Sequence, residues 1–256
     1  MSLCLRAKLL GEAGFRHGFT LRRGGVSAAP FSDLNLARNV GDDPQAVAEN
    51  HRRLAAELDY QAEALFEVSQ VHGSEVAVAE AGVPPQQFRA READALLASV
   101  PGQAIGIRIA DCVPILVGDP ETGAVLAIHA GWRGVVAGIV QEAVRKLLTH
   151  GGGKAERLLA AVGPHIGPEA FEVGPEVAEA LARAVPAGVR VVIPREPRPH
   201  ADLGLAVRAQ LEQAGLTAAH VETVGGCTYA DAQHFFSFRR DGSRAGRHLA
   251  VIVAGC

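Results

Sequence analysis

Short apolar runs alternate with helical patterns through the middle of the chain, and this order constrains the fold more than any other feature. Ala104–Ala110 and Ala124–His129 are apolar runs of the length and composition typical of buried strands. Val135–Leu148 then has apolar residues at helical spacing. Leu158–Val162 and Pro175–Ala184 repeat the order of strand and helix. This alternation predicts a sheet covered by helices.

Strands are predicted to cluster at the two ends of the chain. Phe15–Leu36 is predicted to start as a strand and continue as loops, and Leu65–His72 is predicted to be a further strand. Near the C-terminal end we predict three strands, at His220–Val224, Phe235–Arg239 and His248–Val253. The combined pattern predicts an α/β (α+β) fold, with mixed β-sheets flanked by helices in a single domain over residues 1–256.

Glycines and prolines mark several boundaries. Pro44, directly after two aspartates, is typical of the first turn of a helix. A helix predicted over Leu203–Ala214 is followed by Gly215, a common C-terminal cap. Within the apolar run Val113–Val117, Pro114 predicts a break or a sheet edge.

Charge and motifs exclude several classes of partner and cofactor. The chain has 25 basic and 28 acidic residues, a net charge of -3, so nothing predicts binding to nucleic acid or to an anionic membrane. No apolar run approaches the roughly 20 residues of a membrane helix. The four cysteines form no CxxC pair and are typical of free thiols, which favours a cytoplasmic protein. No GxGxxG or GxxxxGK[ST] motif predicts a nucleotide cofactor.

Three residues form a candidate metal site. His72 and His129 are predicted at strand ends, and Cys112 interrupts an apolar run. Side chains at strand ends project into clefts, so we expect the three to share one cleft. Two imidazoles and one thiolate suit zinc and leave its fourth position open for water or substrate. Their wide separation along the chain leaves a second interpretation open, a buried thiol with two hydrogen-bonded histidines.

A series of longer strings is more specific. SQVHGSEV, RIADCVPILVGD, IHAGWRGVVAGI, GPHIGPEAFEVG, CTY and FFSFRRDGSRAGR occur in this order, after TLRRGGVS, LNLA and GDDP near the N-terminus. Together they closely resemble the bacterial YfiH/YlmD-type proteins, a family labelled laccase-domain or polyphenol oxidase. The resemblance covers nearly the whole chain.

The resemblance has implications for the site and the reaction. It implies that His72, Cys112 and His129 hold one zinc ion in a mixed α/β domain. It implies a purine nucleoside phosphorylase acting on adenosine, inosine, guanosine and methylthioadenosine, with accompanying adenosine deamination. The expected partners are then a small nucleoside and phosphate. Neither the resemblance nor the composition predicts the oligomeric state.

Residues near the candidate ligands are assigned by their chemistry. Asp111 is a candidate catalytic carboxylate beside Cys112, able to shuttle a proton or orient a ligand; its alternative role is to hold a turn through backbone hydrogen bonds. Arg133, Arg23 and Asn35 are candidate substrate-binding residues, with donors for phosphate and for ribose hydroxyls. Solvated loop side chains and structural ion pairs are the alternatives for these three.

Three other positions are assigned structural roles. Arg239-Arg240-Asp241 is interpreted as a solvated turn with internal ion pairs, His165 as a hydrogen-bonded histidine and Cys227 as a core thiol.

Two further functions would use the same three candidate ligands. In a Cys–His hydrolase, Cys112 would be the nucleophile and a histidine the base; the resemblance links such chemistry to amide cleavage in peptidoglycan precursors. Copper-dependent phenol oxidation is suggested by the family label, and a site with two histidines and one cysteine is able to bind copper. The chain has ten histidines, however, and no HxH pair of the kind found in multicopper oxidases.

Overall fold

Two mixed β-sheets pack face to face, with helices on their outer faces. The computed structural model describes residues 2–151 and 153–255. Its strands are, in chain order, β1 (Cys4–Leu5), β2 (His17–Thr20), β3 (Leu65–Phe66), β4 (Val76–Val78), β5 (Ala95–Ala98), β6 (Ala104–Ile109), β7 (Val113–Gly118), β8 (Val125–Ala130), β9 (Leu159–Val162), β10 (Val192–Ile193), β11 (His200–Ala201), β12 (Val221–Thr223) and β13 (His248–Val253). Its α-helices are α1 (Lys8–Glu12), α2 (Pro44–Leu58), α3 (Pro85–Phe88), α4 (Trp132–Val136), α5 (Ile139–Gly151), α6 (Pro175–Arg183), α7 (Leu203–Gln213) and α8 (Phe238–Asp241).

Both large sheets contain parallel and antiparallel pairs. The five-stranded sheet has the order β1-β2-β13-β6-β3, and the six-stranded sheet has the order β12-β9-β7-β8-β5-β4. The pairs β3–β6, β4–β5 and β9–β12 are parallel, and the remaining pairs of these sheets are antiparallel. This architecture is the mixed α/β fold that the sequence predicts.

Alternating side chains fill the space between the two sheets. On β13, Ala250 and Ile252 face the inner layer, whereas Leu249 and Val251 face outward. Successive strands β6 and β7 belong to different sheets, so the link between them crosses from one sheet to the other. That link contains Cys112, which is therefore held at one end of the sandwich.

Helices bury the outer faces of the sheets. Helix α2 packs on the five-stranded sheet through Leu54 and Leu58, and α5 and α7 contribute to the apolar cluster outside the six-stranded sheet. The predicted start of α2 is confirmed, with Pro44 in the first turn and the Asp43 side chain accepting a 2.9 Å hydrogen bond from the Gln45 backbone N–H. Asn50 on α2 is fully buried, and its side-chain amide donates a 2.9 Å hydrogen bond to the Asn35 carbonyl in the loop before the helix.

Several local predictions are wrong, for identifiable reasons. Phe235–Arg239 is not a strand, because the Ser237 hydroxyl accepts a hydrogen bond from the Arg240 backbone N–H and starts α8. The strand predicted over Leu65–His72 is a strand only at Leu65–Phe66, and beyond it Ser69 forms an isolated bridge with Glu92. Pro114 lies on a central strand, where it precedes the part of β7 that pairs with β9. No helix among the described residues is long and apolar enough to cross a bilayer.

Replacing Leu116 by alanine tests the core between the sheets. Its side chain has no exposed surface and belongs to the inner cluster. Truncation should lower the free energy of unfolding by about 2–5 kcal/mol, because it removes buried methyl groups and leaves a cavity. Urea denaturation measures this loss. Leu205→Ala, at a residue 39% exposed on α7, is the control and should change stability by less than about 0.5 kcal/mol. Equal losses in both variants would contradict the assignment of the core.

Candidate metal centre

Three side chains from separate segments converge at one end of the sandwich. The ligand atoms of His72, Cys112 and His129 lie within 4.8 Å of one another. The two imidazole rings are in edge contact, with centroids 4.8 Å apart. The three residues that sequence reasoning selects are therefore brought together, and they form the one such cluster found among the described residues.

Each ligand is held by a different local structure. His129 is the penultimate residue of β8, and Cys112 lies in the link between the two sheets. His72 does not end a strand as predicted: it lies in a turn with a φ of 60°, a left-handed conformation that is uncommon for residues with a side chain.

A buried aspartate, Asp94, fixes two of the three ligands. Its carboxylate accepts backbone hydrogen bonds from Val71, His72 and Gly73, at 3.2, 3.0 and 2.6 Å. It also accepts a 2.8 Å hydrogen bond from Nδ1 of His129. Because Nδ1 is engaged in this way, Nε2 of His129 is the nitrogen available to a metal ion. Asp94 therefore holds the His72 turn and orients the His129 ring.

The absence of a side chain at Gly131 makes room for the cluster. A Cβ atom at this position would lie 2.8 Å from Nδ1 of His72 and 3.1 Å from Sγ of Cys112. The φ of Gly131 is -76°, which any residue adopts, so its requirement for glycine is steric and comes from the ligand atoms. The donor set and this close approach both fit a small ion bound by three protein ligands.

The electrostatics of the cluster favour a thiolate. Burial raises the pKa of the Cys112 thiol, but the charge of His129 and hydrogen bonds from both histidines outweigh burial and lower the pKa to about 6. Burial lowers the pKa of His129, whereas Cys112 and Asp94 raise it to about 9. For Asp94, burial raises the pKa, and hydrogen bonds from His129 and the turn amides outweigh it and keep the pKa below its usual value. A thiolate is the form of cysteine that binds metal.

A cavity of about 540 Å³ opens onto this cluster. Its walls combine cationic and aromatic side chains. The lining residues outside the cluster include Arg108, Trp132, Arg133, Phe171, Phe238, Arg239 and Arg247. Three of these arginines stack on aromatic rings, with guanidinium-to-centroid distances of 4.3 Å for Arg133 on Trp132 and 5.4 Å for both Arg239 on Phe171 and Arg247 on Phe238. Such walls suit a ligand that is both flat and anionic.

Asp111 lines the cavity, but its two oxygens are already engaged. One accepts a 2.6 Å hydrogen bond from the Thr228 hydroxyl, and the other accepts a 2.6 Å hydrogen bond from the Arg239 backbone N–H. Its φ is 92°, so it forms a tight turn immediately before Cys112. These contacts match the turn-holding role that sequence analysis leaves open beside a catalytic one.

The candidate substrate residues separate into two groups. Arg133 lines the cavity, whereas Arg23 and Asn35 do not. Arg23 is exposed and contacts the Gln233 carbonyl. Asn35 is fully buried, and its amide donates to the Ala37 carbonyl and to Asp42 and accepts from the backbone N–H groups of Ala37 and Arg247. The structure therefore places Asn35 behind the cavity wall, with its hydrogen-bonding capacity used inside the protein.

Sequence reasoning misses four residues of the site. Asp94 directly precedes the apolar run Ala95–Ala98 and belongs to no motif, and Arg247 follows a segment with two glycines. Arg239 is expected in a solvated turn, but it lines the cavity. Of the four, only Arg108 gives a signal in the sequence, because it is a charged residue within an otherwise apolar strand. Cys227 is half-buried rather than packed in the core, with its sulfur accepting a 3.1 Å hydrogen bond from the Gly167 N–H.

A family model described as "Multi-copper polyphenol oxidoreductase laccase" matches residues 16–255. The chain belongs to this family.

Curated relatives and a solved structure agree with this assignment. A protein of Deinococcus radiodurans named purine nucleoside phosphorylase is 46% identical over 237 residues, which cover 92% of this chain and 88% of the relative. The Escherichia coli protein named purine nucleoside phosphorylase YfiH is 39% identical, over 90% of each chain. The crystal structure of YlmD from Geobacillus stearothermophilus is similar over the whole of both chains, with a TM-score of 0.91 and 32% identity.

Changing Asp94 to asparagine tests its hold on the ligands. The substitution keeps the size of the side chain but removes its charge and one of its acceptor oxygens. We expect metal affinity to fall roughly 10- to 100-fold, as for other groups that orient metal-binding histidines. Competition with a chromophoric chelator measures it. Asp231→Asn is the matched control, because Asp231 also accepts a 2.8 Å hydrogen bond from a histidine, His234, at an exposed site. An unchanged affinity in Asp94→Asn would contradict the assigned role.

Changing Gly131 to alanine tests the steric fit. The added methyl group would contact Nδ1 of His72 and Sγ of Cys112, so we expect a purified variant that folds but retains much less metal per chain. Elemental analysis measures metal content, and thermal unfolding checks the fold. Gly226→Ala is the control, because a Cβ there meets no atom within 4 Å. Equal metal content in the two variants would show that the cluster is not the metal site.

Proposed function

We propose that this protein is a zinc-dependent purine nucleoside phosphorylase. The observation that supports this most directly is the three-ligand cluster of His72, Cys112 and His129, which faces a cavity with cationic and aromatic walls. Structural zinc sites are usually closed by four protein ligands, whereas catalytic sites keep one position open. The names of the relatives in the same family support phosphorolysis of purine nucleosides as the reaction.

The proposed roles follow from the position of each group. His72, Cys112 and His129 hold the zinc ion, which when bound supplies a Lewis acid for developing negative charge. Arg133, stacked on Trp132, contributes positive charge to the cavity where phosphate enters. Asp111 shapes the turn that presents Cys112, and as a charged group on the cavity wall it is our candidate for proton transfer.

The proposal extends to substrates and location. We expect adenosine, inosine, guanosine and methylthioadenosine to be cleaved, and adenosine to be deaminated as a side activity. The cavity volume of about 540 Å³ lies in the range of small-molecule sites and accommodates a nucleoside with phosphate. Cys4, Cys112 and Cys227 are free thiols, in keeping with the cytoplasmic location that we propose.

Activity and metal content, measured on one preparation, test the proposal. The protein is purified without added metal, zinc and copper per chain are determined, and adenosine is assayed with and without phosphate. We expect about one zinc per chain and release of adenine that depends on phosphate. Cys112→Ala should lose both metal and activity, because it removes one of three ligands, whereas Cys227→Ala should retain both. Release of adenine without phosphate, or equal activity in the two variants, would contradict the proposal.

A second candidate is a cysteine hydrolase acting on amide bonds, as in peptidoglycan precursors. It is favoured by one observation, the contact between the Cys112 thiol, with a pKa of about 6, and His129, with a pKa near 9. Such a pair resembles the thiolate and imidazolium of cysteine hydrolases.

Alkylation of the thiol separates the two candidates. With iodoacetamide at pH 7, a ligand cysteine should be modified only after the metal is removed by a chelator, because the metal shields the thiolate. A nucleophilic cysteine should react in the protein as purified, and the amidase activity of the protein should fall in proportion to the fraction of Cys112 that is modified. Rapid modification of Cys112 in a preparation that contains one zinc per chain would favour the hydrolase.

A further inference from the structure

The cavity concentrates positive charge in a chain whose net charge is -3. Arg108, Arg133, Arg239 and Arg247 line it, and Asp111 is the one acidic residue among its described lining residues. Both oxygens of Asp111 are occupied by Thr228 and by the Arg239 backbone, as described above. Four cations on the walls outnumber the engaged carboxylate of Asp111 and the thiolate of Cys112, so the pocket attracts anions and focuses them against its walls.

Arg247 is held in place but not neutralised. Its backbone N–H donates to Asn35 at 2.9 Å, and its Nη1 donates to the carbonyls of Ala245 and Gly246, at 2.6 and 3.1 Å. The guanidinium stacks on Phe238. Within residues 2–151 and 153–255, no carboxylate lies within 4.0 Å of it. Nε and Nη2 are therefore available to a ligand in the cavity.

Arg108 is also fixed from behind, in its case by an ion pair with a buried carboxylate. Its Nη1 donates to Glu67 at 2.8 Å, and its Nη2 donates to the Val68 carbonyl at 2.7 Å. The buried carboxylate of Glu67 also lies 3.7 Å from Arg38, so two cations share its single charge. Gln70 brackets the Arg108 backbone with two hydrogen bonds of 2.8 Å. The side chain is thus pre-organised on the cavity wall.

The two guanidinium groups influence each other. Burial lowers the pKa of Arg247, and the positive charge of Arg108 lowers it further, whereas Asp111 and Cys112 raise it. Two like charges held on one cavity wall repel each other, and an anion bound between them offsets this repulsion. Because both guanidinium groups are fixed next to the metal cluster, the cavity favours an anionic ligand at this place.

We propose that Arg108 and Arg247 form a subsite for a tetrahedral phosphoryl group beside the metal cluster. The role of this subsite in the reaction rests on the proposed function, in which the bound phosphoryl group is inorganic phosphate. A phosphate oxygen then forms a bond to the anomeric carbon of ribose, and the bond from that carbon to the purine nitrogen breaks. The purine leaves with the electron pair and takes up the proton that phosphate gives up, which yields ribose 1-phosphate and the free base.

Calorimetric titration tests the subsite without relying on turnover. Inorganic phosphate and adenosine 5′-monophosphate are titrated separately into the protein as purified and into protein freed of metal by a chelator. We expect Arg247→Ala to weaken phosphate binding roughly 10- to 100-fold in both forms, as for the loss of a charged hydrogen-bonding group. Arg247→Lys should bind with intermediate affinity, because it keeps the charge but not the bidentate fork. Arg244→Ala, at an exposed residue of the same segment, is the control.

The two ligands distinguish the source of the phosphoryl group. Tighter binding of inorganic phosphate supports a co-substrate site, whereas tighter binding of the nucleotide, lost in the same variants, supports a site for a phosphorylated nucleoside. Arg108→Gln, at a residue of β6, should reproduce the loss and guards against a folding defect particular to Arg247. Thermal unfolding of each variant verifies the fold.

Failure of the subsite and failure of the phosphorylase proposal give different results. If the wild type cleaves adenosine with phosphate, and the KM for phosphate is the same in Arg247→Ala, Arg108→Gln and Arg244→Ala, the subsite is overturned and the phosphorylase stands. If phosphate binds through these arginines but no purine nucleoside is cleaved, the subsite stands and the phosphorylase proposal fails. If neither inorganic phosphate nor adenosine 5′-monophosphate binds to the wild type, the subsite is overturned.

Discussion

The buried carboxylate of Asp94 is the contact on which the geometry of the metal centre depends. It has no exposed surface and no lysine or arginine partner among the described residues, so its charge is stabilised by hydrogen bonds from backbone amides and from the imidazole of His129. Three come from the turn that contains His72, and one comes from the His129 ring. The same four bonds stabilise the left-handed conformation of His72 and select the free nitrogen of His129. The hydrogen bonds that stabilise the charge of Asp94 are therefore the same ones that position His72 and His129.

The third ligand depends on the arrangement of the sheets. Because β6 and β7 lie in different sheets, the short link between them crosses the end of the sandwich and carries Cys112 to the two histidines. Asp111 closes the turn by bonding to Thr228 and to the start of α8, which ties this link to the segment that carries Arg239. Gly131 then lets the chain after β8 pass close to the ligand atoms. The cluster is thus built by backbone topology and a few short-range contacts.

Features that repeat locally could be predicted from the sequence, and features that depend on distant neighbours could not. Strands such as β6 and β13, and helices such as α2 and α7, follow from apolar spacing and capping residues. The three ligands follow from their strings and from the chemistry that zinc prefers. Asp94 and Arg247 could not be identified, because their roles exist only when segments far apart in the chain meet. The segment at Phe235 misleads for a related reason. Phe235 and Phe236 are buried against His248, a residue close in space but distant from the predicted pattern, and the Ser237 cap outweighs the strand-like spacing.

The central claim, that His72, Cys112 and His129 hold one zinc ion with an open position, is tested most directly by zinc K-edge X-ray absorption of the protein as purified. The account predicts one sulfur scatterer at about 2.3 Å and two imidazole nitrogens at about 2.0–2.1 Å, with one further light atom that is not from the protein. Removing Cys112 should remove the sulfur contribution. A spectrum without sulfur, or one with two or more sulfur ligands, would contradict the claim, because the cluster contains a single cysteine.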